Sequence, residues 1–206
     1  ELADAFNGMA ATLQEKVAEL EQNARQLATL NSVSNELKGI LDLKSLFQGI
    51  PDVICARFGL DRAALYLVVG EQLRVVGVAF GADAAARAQH GNAAPLRLDG
   101  PSVEADVVRS GKAIIVDDPW NHPRVNRTKQ AASASNAYVQ VPIFGREERV
   151  IGLLSADYNR TRRPIQAQDA AQLLTFASMV GLTIENARLY NNLERQVAAR
   201  TEELRA

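Results

Sequence analysis

The chain has 206 residues, 47% of them hydrophobic and 23% charged, and a formal net charge of -1. That composition fits one globular domain with extra helix, or two small domains. It excludes a broad basic footprint of the kind that binds a phosphate backbone, so no nucleic-acid partner is expected.

Along the first segment, apolar residues recur at Leu13, Val17, Leu20, Ala24 and Leu27, in alternating steps of four and three. This is the a/d seam of a coiled coil. It continues through Leu30, Ser34, Leu37 and Leu41 after two consecutive steps of three around Leu27, a local overwinding. Isolated helices lean on packing, so a homodimer through parallel helices is expected, with Leu13, Val17, Leu20 and Leu27 in its seam. The rival arrangement is a single amphipathic helix packed on its own domain.

Asp42 has the chemistry of an N-cap for a second helix, whose stripe runs through Leu46, Phe47, Ile50, Val53, Ile54 and Phe58 and ends at Gly59. Pro51 lies inside it and is expected to kink or break it. From Asp61 the period becomes extended. Residues 63–69 are apolar on both faces, as in an interior strand. Gly70-Glu71 supplies a hairpin turn, and residues 73–80 return. Residues 81–100, rich in Gly, Ala and Asp, form a surface connection.

Ser102 caps a short helix through Arg109, closed by Gly111. Residues 113–116 form a short buried strand ending in Asp117-Asp118, and residues 119–136 make a long crossover. Two strands follow, Tyr138–Phe144 and 149–158, joined at Gly145. In the first, Val139, Val141 and Ile143 alternate with Tyr138, Gln140 and Pro142, which predicts one inward face. Pro142 belongs at a bulge or an edge-facing position. Beyond Pro164 the only breaker is Gly181, so a helix of about 60 Å is expected from about residue 167 to 206. Leu173, Leu174, Phe176, Val180 and Ile184 suit packing on the sheet. The far half must project, with Leu182, Leu189 and Leu193 extending the dimer seam.

No catalytic constellation is present. His90 and His122 fall in loops, and Cys55, the single cysteine, sits on an amphipathic helix as a buried structural thiol. A lone cysteine excludes an intramolecular disulfide and fits a reducing cytoplasm. Neither histidine brings a second metal ligand. Asp117 and Asp118 are adjacent at a strand end and point to opposite sides, a turn starter and a surface charge rather than a metal pair. Neither a P-loop nor G-x-G-x-x-G occurs. No catalytic residue, metal or cofactor is therefore expected, and an unknown small-molecule ligand stays open. A pocket would lie between the sheet and the 117–136 crossover, with Trp120, Tyr138 and Gln140 lining it. The alternative is that both rings simply pack the loop onto the sheet.

The order helix, hairpin, short helix, strand, crossover, hairpin, helix resembles a GAF domain across roughly residues 38–190. The resemblance is carried by Leu65-Tyr66-Leu67, Gly111-Lys112-Ala113 running into Val116-Asp117-Asp118, and Asn121-His122-Pro123-Arg124. It extends to Val141-Pro142-Ile143 leading to Val150-Ile151-Gly152-Leu153-Leu154. It implies an α+β fold, a GAF-like antiparallel sheet with helices packed on it, flanked by long N- and C-terminal coiled-coil helices. The implied division is a signalling helix over 1–37, the sensory domain over 38–185 and a second signalling helix over 186–206.

Residues 1–13, with Phe6-Asn7-x-Met9, resemble the end of a HAMP domain, and Asn186-Ala187-Arg188-Leu189-Tyr190 resembles a helix leaving a GAF domain. The chain opens at Glu1, inside a helical pattern, like a fragment of a longer protein. By resemblance the parent is an inner-membrane sensor of the two-component type, ending in a histidine kinase or a diguanylate cyclase. This stretch would lie on the cytoplasmic side. The longest apolar run, 63–69, is too short to span a bilayer, and no signal peptide is visible. Bilin-binding relatives attach pigment through a cysteine in the pocket half, whereas Cys55 precedes the first strand. The N-K…F-x-x-x-D-E pattern of cyclic-nucleotide-binding relatives is absent. The expected role is a sensory and dimerisation module without enzyme activity; the alternative is a small-molecule-binding receptor domain whose pocket ligand is the primary signal.

Overall fold

The computed structural model describes residue 16, residues 43–81 and residues 94–203. The chain divides into two units between residues 36 and 37, and the second is described below. The expected N-cap Asp42 and the seam positions Leu13, Val17, Leu20 and Leu27 lie outside the described residues.

The elements are α1 (Leu43–Phe58), β1 (Arg62–Val69), β2 (Gln72–Phe80), β3 (Leu96–Arg97), α2 (Val103–Ser110), β4 (Ile114–Val116), α3 (Arg127–Ser133), β5 (Tyr138–Phe144), β6 (Val150–Asp157) and α4 (Ala167–Glu203). The strands form one six-stranded sheet in the order β3-β2-β1-β6-β5-β4. Every neighbouring pair is antiparallel, which gives the α+β architecture expected.

Alternation along the strands assigns the two faces. Register places Ala63, Ala156 and Val139 in one row, and Leu65, Leu154 and Val141 in the next. All six are buried. This face carries α1 and α4, whose Phe58 and Phe176 rings meet at 5.5 Å between centroids. The opposite face carries α2. There Val107 packs with Leu73 and Leu153, and Tyr66, Val68 and Ile114 close around them. β5 is consequently buried on both faces, rather than on one as its alternation predicts, because α2 packs on the second.

Two glycines let the helices of the first face approach the backbone of the sheet. α1 continues through Pro51 instead of breaking there. Proline has no N–H, so the carbonyl of Phe47, four residues back, loses its helical donor. That oxygen lies against Gly77 of β2, where a Cβ would overlap it. Next to Gly77, Val76 is left unpaired by a register shift, and its carbonyl accepts from Gln48 Nε2 at 3.2 Å. On the other side, a Cβ at Gly181 of α4 would overlap the Phe144 carbonyl oxygen of β5. Pro142 lies past the last β5 residue paired with β4, where its missing donor costs no ladder bond.

At 1.5 Å per residue, the 37 residues of α4 extend about 55 Å. Leu173, Phe176, Ala177, Val180, Ile184 and Ala187 are buried. Beyond Ala187, Leu189, Tyr190, Leu193 and Val197 are exposed.

Two elements were not anticipated. β3 is a two-residue strand in the 81–100 connection, and α3 occupies the second half of the crossover. α3 (Arg-Thr-Lys-Gln-Ala-Ala-Ser) has no apolar stripe to announce it.

Candidate functional site: a cavity under the crossover

The face that carries α2 also forms the floor of a cavity of about 420 Å³, within the range of small-molecule sites. Pairing across β1, β6 and β5 builds that floor in rows: Arg62, Asp157 and Tyr138, then Ala64, Ser155 and Gln140. Tyr66 follows on β1, with Val75 and Val78 of β2 at its side. The roof comes from Leu96, from Glu104 on α2, and from Val125, Asn126, Gln130, Ser133 and Ser135 of the crossover.

A buried ion pair fastens roof to floor. Arg62 and Asp157 have side chains 13% and 6% exposed. Arg62 donates through Nε to Asp157 Oδ2 at 2.9 Å and through Nη1 to the Ser133 carbonyl at 2.9 Å. Its Nη2 donates to both Asp157 Oδ2 and Ser135 Oγ. Asp157 Oδ2 also accepts from Ser135 Oγ at 3.2 Å, and its Oδ1 accepts from the Asn159 amide at 3.0 Å. Gln130 Nε2 donates to the Ser135 carbonyl at 2.5 Å and closes the end of α3. With these partners the pair meets the demand that buried charges be matched and hydrogen-bonded.

Other groups on the wall lack such partners. Gln140 is 3% exposed, yet its Oε1 accepts no hydrogen bond. Glu104, in the first turn of α2, forms no ion pair or hydrogen bond among the described residues. Burial raises the Tyr66 and Tyr138 phenols well above the usual tyrosine range, and the Glu104 charge adds to both shifts. The carboxylate field therefore reaches both rings.

Of the sequence candidates, Tyr138 and Gln140 line the cavity and Trp120 does not. Trp120 is 46% exposed. Asp118 Oδ1 accepts from the amides of Trp120 (3.1 Å) and Asn121 (3.2 Å), and its Oδ2 accepts from Asn121 Nδ2 at 2.6 Å. This Asx-turn holds the loop at the surface. Tyr66 and Glu104 were missed. Strand alternation from Arg62 would have placed Tyr66 on the cavity face; nothing local to α2 singles out Glu104. In the projected seam, Leu182, Leu189 and Leu193 are 59%, 44% and 55% exposed.

Cys55 is half-buried on α1 and absent from the cavity wall. Burial pushes its thiol up to about 11. His122 Nδ1 accepts from the Arg124 amide at 3.3 Å, and His90 lies outside the described residues. Among the described residues no group of three or more His, Cys, Asp or Glu is placed to hold a metal ion. Nor, among them, is any helix long and apolar enough to cross a membrane.

The family model described as GAF domain matches residues 42–184. No curated protein matches the chain. Among solved structures the chain is similar to a segment of a methyl-accepting chemotaxis protein (19% identity, TM-score 0.65), covering 77% of this chain and 98% of that one. It is similar also to the GAF domain of a phosphoenolpyruvate-protein phosphotransferase from Coxiella burnetii (16%, TM-score 0.67), covering 81% and 96%. A third is free methionine-R-sulfoxide reductase from Neisseria meningitidis, in complex with its substrate (19%, TM-score 0.64), covering 81% and 92%. At such identities the likeness is one of fold.

Proposed function

The chain belongs to the GAF domain family, and from that premise we propose that it is the sensory and dimerisation module of a bacterial signalling protein. In this reading two copies pair through parallel α4 helices and pass a change of state to a downstream output domain. The observation that carries it is the stripe Leu182, Leu189, Leu193 and Val197, each between 44% and 64% exposed. At 3.6 residues per turn these positions share one side of α4. Four large apolar side chains on one projecting helix face call for a partner, and a second copy of the same stripe matches it in length and character. Sedimentation at tens of micromolar tests this: a dimer is expected, and a monomer would overturn it.

The same reading extends to the parent. Residues 1–13 resemble the end of a HAMP domain, so the parent is an inner-membrane sensor with this domain on the cytoplasmic side. Its output domain is a histidine kinase or a diguanylate cyclase. The domain itself performs no catalysis. One structural neighbour is a reductase, but folds host unrelated functions. Here the single thiol is away from the cavity and held protonated.

A second reading is favoured by the cavity: a receptor whose small-molecule ligand is the primary signal. Its support is the orphaned Gln140 Oε1 on the wall of a 420 Å³ space. A buried acceptor left unpaired is costly, and an incoming donor removes the cost. A ligand that binds only the native state raises the melting temperature with the logarithm of its concentration relative to Kd. The two readings are compatible, because a ligand with different affinities for two helix arrangements shifts their populations.

A further inference from the structure

We propose that the cavity takes a small organic cation, an ammonium group on an aromatic or apolar body, bound through Glu104 and Gln140. This rests on the receptor reading of the same cavity and names its ligand class.

Three charged residues lie on the described wall: Arg62, Asp157 and Glu104. One cation against two anions leaves a charge of -1. The cation is already committed. All three guanidinium nitrogens of Arg62 donate within the protein, to Asp157, Ser133 and Ser135. Asp157 is equally engaged, with Arg62, Ser135 and the Asn159 amide. On the described wall an anionic ligand would find no uncommitted arginine and would face the Glu104 carboxylate.

Among the groups that the wall leaves without a partner are two acceptors. Glu104 is half-buried and makes no ion pair or hydrogen bond among the described residues. Gln140, 3% exposed, leaves its Oε1 unmatched. An ammonium supplies three donors and a positive charge, and a hydrogen bond between ionised partners is stronger than a neutral one. Tyr66 and Tyr138 lie on the same wall, and an aromatic π-face attracts a cation and accepts an apolar body.

Tryptamine, tryptophol and indole-3-acetate test the assignment. They share an indole and differ chiefly in charge: positive, neutral and negative. The full 206-residue chain is titrated with each, following the Tyr66 and Tyr138 ring resonances. For probes of this size a tryptamine dissociation constant of about 1 mM is expected, followed by tryptophol and last by indole-3-acetate. Glu104→Gln should weaken tryptamine about tenfold while leaving tryptophol within about twofold. Gln140→Leu should weaken both.

Indole-3-acetate binding as tightly as tryptamine, or tryptamine indifferent to Glu104→Gln, overturns the cation assignment. In those cases, probe-induced shifts of the two tyrosine rings leave the receptor reading standing. No ring shift from any of the three at about 10 mM overturns both.

Discussion

The main-chain oxygen of Phe47 sits over the Cα of Gly77, close enough that a methyl group at Gly77 would occupy its place. The oxygen is free because Pro51 cannot donate to it. Gly77→Ala must therefore push α1 off the sheet. A loss of about 3 kcal/mol in urea unfolding is expected, at the upper end for overpacking. Gly100→Ala is the control: its Cβ would meet nothing nearer than 4.0 Å, and it should change stability by less than about 0.5 kcal/mol.

Arg62→Met leaves the Asp157 carboxylate buried without its cation. The cost expected is about 3–5 kcal/mol, together with faster hydrogen exchange in α3, whose last carbonyl Arg62 holds. Exchange that quickens evenly across the domain, with no preference for α3, would show that the pair does not fasten the roof.

Leu189→Asp and Leu193→Asp place charges in the proposed seam without touching the core, since both positions are exposed. Sedimentation should change from dimer to monomer. If the protein already sediments as a monomer, or stays a dimer with both changes, the seam is elsewhere.

Asp61 provides a pH test. Burial pushes its pKa up, but donation from the Thr161 amide and hydroxyl, the Arg160 charge and the Arg160 amide outweigh that and hold it below the usual carboxylate range. A carboxylate depressed in the folded state stabilises fully above its unfolded pKa, near 3.9, and loses that contribution as pH falls through the folded value. Asp61→Asn should be less stable than the parent at pH 7, with the gap narrowing below about pH 4. A gap that stays constant down to about pH 2 would contradict the assignment.

With its thiol raised to about 11, Cys55 carries roughly one thiolate per thousand at pH 8. Alkylation of the native protein should be slower than that of a free cysteine by at least two orders of magnitude, and become normal in denaturant.

What could be read from the residues alone was local. β5 was anticipated at Tyr138–Phe144 because alternation and Gly145 define it. α2 was anticipated because its ends are chemical: Ser102 Oγ accepts from the Ala105 amide, and Gly111 takes φ +63°. A cavity does lie beneath the crossover, yet its roof is not legible in the sequence. α3 has no apolar period and is pinned by Arg62, 71 residues away from Ser133. Trp120 was assigned to the pocket on its ring alone. The sequence marks Asp117-Asp118 as a turn starter and a surface charge without saying which is which, and the consequence, a loop held outward by Asp118, depends on three hydrogen bonds from residues after it. Glu104 carries no signal in the sequence, because what sets it apart is the lack of an ion pair or hydrogen bond among the described residues.

Contact between Gly181 and the Phe144 carbonyl has a mechanical consequence. Sliding α4 along β5 by about one turn would bring the Cβ of Ala177 or Glu185, the next positions on the same helix face, toward that oxygen, so piston travel meets a steric stop. A tilt that pivots on the contact keeps that oxygen against Gly181. With α4 ending at Glu203, about 33 Å of helix extends beyond it as a lever. A tilt of a few degrees at the sheet becomes a displacement of ångströms at the tip.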